Sequence, residues 1–253
     1  LGAESTAGTA VAATTILRGM GLIEDQREIK HVDEEIGQAL PTTRAYIPKL
    51  AAAVTLDPVE ATFQQLPYIL EAGISIETPT QDGAGTDYIY AYSLPTTAQN
   101  TIRTYTIEGG NNELVQDMEY SFVESFKLAG NAAEGVMMES SWIGRQVTDG
   151  SFAAVSAPTL IAADNIVFGG SNFYIDAVGG TIGSTEITST LLKMELDVTT
   201  GLRPKFTNAQ KYFDFTYFDR GSFSGTLKLT YEHNSSSDSQ RDIYEAVTPQ
   251  LYR

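Results

Sequence analysis

Few residues in this chain have the chemistry for a reaction. Histidine occurs twice, at His31 and His233, and cysteine does not occur. Neither histidine sits in a metal-ligand spacing such as His at i and i+4. His31 lies in a charged stretch and His233 ends a predicted strand, so both read as solvated surface residues. A Ser–His–Asp triad is a matter of geometry and not of chain order, but no G-x-S-x-G nucleophile elbow is present. The loop QDGAGTD, Gln81 to Asp87, sets two aspartates around two glycines. A calcium loop uses such oxygens, yet the third carboxylate and the downstream glutamate are missing, and the stretch reads as a turn. Phosphate loops are absent as well. Asn234-Ser235-Ser236 matches a glycosylation sequon, a triplet frequent by chance, and no signal peptide is visible. Thirteen tyrosines are compatible with a sugar-binding face, although aromatics on alternating strand positions more often serve a core or an interface. No catalytic residue, cofactor site or metal site is assigned.

The scaffold for these residues reads as mainly β. The longest patterned stretch is Asp117 to Val147, DMEYSFVESFKLAGNAAEGVMMESSWIGRQV. Met118, Tyr120, Phe122, Phe126 and Leu128 alternate with Glu119, Ser121, Ser125 and Lys127, the period of a half-buried strand. Gly130 and Asn131 are placed to supply a turn. Val136, Met138 and Trp142 then oppose Glu139, Ser141 and Arg145. Glu124 on the apolar face and Val123 on the polar face break the pattern. An isolated hairpin is marginal in water, so further strands must flank it, from this chain or from another copy.

Charge narrows the partners. Sixteen basic residues against thirty-two acidic ones give a net charge of −16. Such a surface does not hold DNA by phosphate neutralisation, nor does it suit anionic lipid. No apolar run approaches the roughly 18 residues of a membrane span. The 253 residues allow one large all-β domain or two small ones, and no linker long enough to force two domains and no fixed-period repeat is present, so the chain reads as a single domain.

In chain order, residues 1–21 read as an extended arm with a short strand near Thr14 to Leu17. Glu24 to Glu35 reads as an exposed acidic edge or loop. Arg44 to Leu56 reads as a strand with Pro48 near an edge. Residues 57–73 read as a single flanking helix: Asp57 as N-cap, Pro58 at the first position, Glu60 completing a capping box and Gly73 ending it. Val59, Phe63, Leu66 and Leu70 form its apolar stripe, with a kink at Pro67. Strands follow at Asp87 to Ser93, Thr101 to Glu108, Asn172 to Ala177, Leu192 to Val198, Tyr212 to Phe218 and Phe223 to Tyr231. Asn234 to Asp242 reads as a surface loop, and residues 234–253 as a C-terminal loop and arm. The fold class is mainly β, a sandwich or barrel of two packed antiparallel sheets with one flanking α-helix and extended arms.

The order of segments resembles the major tail tube proteins of long-tailed bacteriophages and related head-tailed viruses. GAESTAGTAVAATTIL resembles their N-terminal arm. EEIGQALPTTRAYIPKLAAAVTLDPVEATFQQLPYILEAGI resembles their arm and loop leading into a single helix. DMEYSFVESFKLAGNAAEGVMMESSWIGRQV is similar to their central hairpin, and FYIDAVGGTIGSTEITSTLLKMELDVTTGLRPKF to their C-terminal strand pair. The resemblance covers most of the chain and includes no invariant catalytic motif. It implies a fold shared with the tube proteins of type VI secretion, and a structural virion protein without enzymatic activity or cofactor. It also implies hexameric rings, made in the host cytoplasm and stacked into a hollow virion tail. The implied partners are the tape-measure protein and tail-end proteins, with DNA passing through unbound and no membrane contact.

In such a tube the polar face of the central hairpin is expected to look into the bore. Glu119 and Glu139 would supply acids, with Ser121, Ser125 and Ser141 between them. Lys127 and Arg145 share that face, either paired with acids on neighbouring strands or near the rim. Trp142, Met138, Phe122 and Phe63 are the candidate core or interface residues. The N-terminal residues 1–11 are expected to be mobile in a free subunit. A second reading is a carbohydrate-binding or adhesive β-sandwich on a virion or cell surface, with tyrosines lining a sugar face. A third, a hydrolase on a sandwich, lacks a locatable carboxylate pair.

Overall fold

The computed structural model describes residues 1–34, 37, 42–94, 98–111, 113–150, 158–219 and 222–253. The first strands are β1 (Gly2–Ala3), β2 (Thr15–Ile16), β3 (Gly21–Asp25), β4 (Glu28–Asp33), β5 (Thr42–Lys49) and β6 (Ala52–Glu60). Helix α1 (Leu66–Gly73) follows, then β7 (Thr80–Gln81), β8 (Tyr88–Ile89), β9 (Tyr105–Gly110), β10 (Val115–Asn131), β11 (Met137–Gly144) and β12 (Val147–Asp149). Next come β13 (Thr159–Leu160), β14 (Ile175–Ala177), β15 (Leu191–Thr199), β16 (Leu202–Lys205), β17 (Phe215–Phe218) and β18 (Ser224–Tyr231). A 3-10 turn (Phe168–Gly170) lies between β13 and β14, and helix α2 (Ser235–Glu245) and β19 (Gln250–Tyr252) complete the described elements. The protein is mainly β with antiparallel sheets, as the alternating patterns predict, and carries two α-helices among the described residues where one is expected.

Strand β10 belongs to two sheets at once. Its first half pairs with β9 and β12, and β1 extends β9. Its second half lies between β11 and β15 in the order β3-β6-β11-β10-β15-β18. All these pairs are antiparallel. The main core joins Tyr105, Ile107 and Met118 of the first sheet to Ile23, Val54, Val123, Met138 and Trp142 of the second. Trp142 is 1% exposed. Its ring meets Tyr105 edge-on, with centroids 6.1 Å apart, and its indole N–H donates to Ser140 Oγ at 2.9 Å.

The period of two does not run unbroken along β10. Tyr120 has φ 51°, and the register slips between Met118 and Ser121 against β9 and again between Val123 and Ser125 against β11. A bulge inserts one residue and reverses the phase of everything beyond it. Met118 and Val123 therefore share the main core, while Tyr120 and Phe122 join a second cluster with Leu202 and Phe213. The two sequence irregularities, Val123 and Glu124, mark this bulge. Glu124 accepts a bond from Arg203 Nη1 at 2.5 Å.

Three local expectations are corrected. The helix does not begin at Asp57. Residues up to Glu60 continue β6, which pairs Met137 with Glu60 and Met138 with Val59, and cross-strand hydrogen bonding overrides the capping signature. Helix α1 starts at Leu66, so Pro67 sits in its first turn, where no intrahelical bond is lost. The apolar stripe fails with it: Phe63 is 63% exposed and is no core residue. Phe122, Met138 and Trp142 are buried as expected. Ile69 is the helix's main anchor, and burying such a side chain contributes about 1.5–3 kcal/mol. The turn of the central hairpin also lies later than Gly130–Asn131, beyond the end of β10. Gly130 is a strand residue facing Phe168, whose ring leaves no room for a Cβ.

The third correction concerns the termini. Residues 234–242 form most of α2 rather than a loop. Asn234 Oδ1 accepts from the Ser236 and Ser237 amides at 3.0 and 3.1 Å, and Ser237 Oγ accepts from the Asn234 amide at 2.9 Å. That is a capping box. The N-terminal residues are docked, not free. Leu1 and Glu4 are buried, β1 pairs with β9, and the Glu4 carboxylate accepts from Thr104 Oγ1, Thr106 Oγ1 and the amides of Gly8 and Tyr120 at 2.8–3.0 Å.

The Trp142 environment gives a direct test of the core. Replacing Trp142 with Ala is expected to lower stability by about 3–5 kcal/mol, because the surrounding rings cannot close the cavity. Chemical denaturation measures this, and a midpoint equal to wild type would place Trp142 outside the core.

Candidate assembly surface

The outer side of the six-stranded sheet is built from rows of directly opposed residues. In antiparallel pairs opposed side chains share a face. One row runs Thr55, Ser141, Ser125, Thr199 and Ser224. Thr55 Oγ1 and Ser141 Oγ lie 3.4 Å apart. The next runs Glu139, Lys127, Asp197 and Thr226, and a third runs Met137, Ala129, Glu195 and Lys228. Lys127 Nζ stands 3.8 Å from Asp197, and Glu195 pairs with Lys193 at 2.6 Å and Lys228 at 3.8 Å. The hydrogen bond and charge of Lys193, helped by Lys127 and Lys228, hold the Glu195 carboxyl below its usual range.

Of the five expected bore-facing residues, Ser125, Glu139 and Ser141 are on this face together. Ser121 is not: it is 0% exposed, and its hydroxyl donates to the Met118 carbonyl at 2.9 Å. Glu119 is not on it either, because the break at Tyr120 separates the two halves of β10. Its carboxylate accepts from Gln146 Nε2 at 3.0 Å on the first sheet. Lys127 is on the face and paired with a neighbouring strand, one of the two arrangements expected of it. Arg145 is elsewhere. Its guanidinium lies over Tyr120, Tyr212 and Phe213 and donates to the carbonyls of Phe213, Asp214 and Gly8.

Glu139, Asp197 and Glu195 are set among Lys127, Lys193 and Lys228 on β10, β11, β15 and β18. Glu60, opposite Met137 on β6, and Glu24, two residues from Leu22 on β3, extend the same face, so five acids stand against three lysines on it. Its two ends are open. Among the described residues β3 pairs only with β6, and β18 only with β15. Leu22 on the β3 edge is 74% exposed. The open edges follow from strand order, which the sequence pattern does not encode. Strands β4 and β5 pair only with each other among the described residues, carry exposed Ile29 and Tyr46, and bring the acidic residues Glu28 and Asp33 to the surface. Glu35, at the end of the expected acidic stretch, lies outside the described residues.

His31 and His233 are both exposed. Among the described residues no three His, Cys, Asp or Glu are grouped to hold a metal ion, and no helix is long and apolar enough to cross a membrane.

Burial raises the Glu119 carboxyl above its ordinary value of 4.5, against the lowering effects of the Gln146 bond and Arg145. The folded protein therefore holds this proton more tightly than the unfolded chain, and stability falls as pH rises through the range just above 4.5. Glu119→Gln keeps an acceptor oxygen for Gln146 and removes the titration. The variant is expected to lose less stability than wild type between acidic and neutral pH, as read by urea midpoints. Identical pH profiles would show that Glu119 is not desolvated. Comparison of the chain with protein-family models and with curated proteins finds no match.

Proposed function

We propose that this chain is the repeating subunit of a viral tail tube, assembled as stacked hexameric rings around a central bore. The observation that carries the reading is the six-stranded sheet with one polar face, one core-packed face and two edges unpaired among the described residues. Exposed edges invite pairing with another chain. Pairing β18 of one copy with β3 of the next, around a closed ring, leaves no edge free and turns one face of every sheet inward. The polar face suits an aqueous bore, since its apolar reverse is already used in the core.

The ion pairs on that face suit passage of DNA without retention. A wall of free lysines would bind phosphates at every few ångströms of the duplex. Here Lys127, Lys193 and Lys228 are held by Asp197 and Glu195. The β4–β5 hairpin, with its exposed apolar residues, supplies a second contact, between rings. The tape-measure protein, the tail-end proteins and residence in the virion tail follow from the resemblance in segment order. The role is structural, with no enzymatic step.

The absence of native cysteines makes a clean cross-linking test available. Cysteines introduced at Leu22 or Glu24 on one edge and at Thr226 or Lys228 on the other are expected to form disulfides between copies. A disulfide requires Cα atoms within about 7 Å, so only the true register cross-links. Non-reducing electrophoresis should give a ladder ending at six, and microscopy should show rings or tubes. A protein that stays monomeric at high concentration across several salt conditions, with no cross-link from any pair, would overturn the reading.

A further inference from the structure

Away from the six-stranded sheet, α1, β9 and the β7–β8 hairpin border a cleft of about 860 Å³. Ligand sites occupy roughly 300–1,000 Å³ and combine apolar walls with a few placed polar groups. Phe63, Tyr68, Tyr88, Tyr90 and Tyr105 are the aromatic lining residues. Tyr88 is 58% exposed and, with Phe63 and Tyr90, leaves wide ring surface in water. The ring of Tyr90 is stacked on Tyr92 with planes 9° apart, which fixes its orientation.

Polar groups stand between these rings. Arg103 Nε donates to Glu71 Oε2 at 2.7 Å, and the Tyr105 hydroxyl donates to the same oxygen at 3.4 Å. Gln64 and Asp164 are bonded to each other in both directions, through Gln64 Nε2 to the carboxylate and through the Asp164 amide to Gln64 Oε1. Asp87 completes the polar lining. The cleft is thus amphiphilic, with fixed ring planes and fixed hydrogen-bonding groups side by side.

That combination selects among ligands. A purely apolar segment would cover the rings but take the carboxylates and guanidinium out of water without offering them a hydrogen bond, at the cost of their desolvation. Single-stranded nucleic acid stacks on such rings but requires a cationic groove. Here Glu71, Asp87 and Asp164 outnumber Arg103. The same excess repels uronates, sialates and phosphorylated sugars. A neutral pyranose offers an apolar C–H face to each ring and a rim of hydroxyls, both donors and acceptors, to the polar groups.

We propose that this cleft is a binding site for neutral oligosaccharides, separate from the sheet edges used in assembly. The test uses the intact protein with soluble neutral hexasaccharides of glucose, mannose and N-acetylglucosamine, followed by saturation-transfer NMR and calorimetry. At least one series is expected to bind in the micromolar to millimolar range, with oligogalacturonate binding more weakly than the neutral sugars. Phe63→Ala and Tyr88→Ala are each expected to weaken binding about tenfold or more, the loss of one stacked contact of about 1.4 kcal/mol. Tyr244→Ala, on the exposed side of α2, serves as the control and should leave binding unchanged. Three results would overturn the proposal. One is no transfer from any sugar at millimolar concentration. Another is a change of self-association in Phe63→Ala with no sugar binding in wild type, which would make the aromatic cluster a contact between copies. The third is binding of a proline-rich peptide with none of the sugars.

Discussion

The break in β10 is the constraint on which the rest of the structure depends. A seventeen-residue strand with strict alternation would present one apolar face to a single sheet. This one serves two sheets because its phase changes between Met118 and Ser125. The left-handed backbone at Tyr120 costs about 1–2 kcal/mol. It is offset locally. The Tyr120 amide donates to the buried Glu4 carboxylate, a charge-assisted bond worth about 1.5–3 kcal/mol. The Tyr120 ring packs against Phe213 at 4.9 Å and under the Arg145 guanidinium at 4.6 Å. Such contacts add roughly 0.5–1.5 kcal/mol each. The N-terminal residues, the loop carrying Phe213 and the end of β11 therefore all converge on the residue with the least favourable backbone.

From that break follows the character of the six-stranded sheet. Beyond the bulge, Phe126 and Leu128 point to the main core, and Ser125 and Lys127 point away. The Lys127–Asp197 and Glu195–lysine pairs are solvent-accessible, and exposed pairs of this kind add little to stability because water and salt screen them. Their effect is on the field at the surface: an alternating ladder has little net charge to act at a distance, and salt screens the remainder within about 8 Å. The protein's large negative charge is thus carried mainly by other surfaces.

The two segments expected to be unstructured show how few residues decide such cases. The N-terminal residues are poor in large apolar side chains, yet one carboxylate with four donors around it holds them to β9 and β10. Helix α2 buries none of its residues. Its order comes from the Asn234–Ser237 capping box and from Arg241, which pairs with Asp238 at 2.9 Å and Glu245 at 3.6 Å. The side-chain Nδ2 of Asn234 is engaged as well, donating to Thr190 Oγ1 at 3.0 Å.

What was legible in the sequence was the local periodicity. Met194, Leu196 and Val198 alternate with Glu195 and Asp197, and β15 follows that pattern. Met138 and Trp142 were recognisable as buried, and Glu139 and Ser141 as their polar opposites, because along an unbroken strand each side chain fixes the face of the next. Three features were decided elsewhere. Asp57 to Glu60 carries the signals of a helix start but pairs with β11, since the ladder to a distant strand outweighs a local cap. Ser121 carries the alternation of a surface residue but is buried, since a bulge between sheets resets the phase. The open edges at β3 and β18, and the juxtaposition of Phe63 with Tyr88, depend on which strands and helices become neighbours. Composition and period are properties of neighbouring residues, so the sequence by itself determined a β-rich, cysteine-free, acidic chain and most of its strand faces. Register, bulges and edges are set by hydrogen bonds between residues far apart in the chain, and only the tertiary structure decided them.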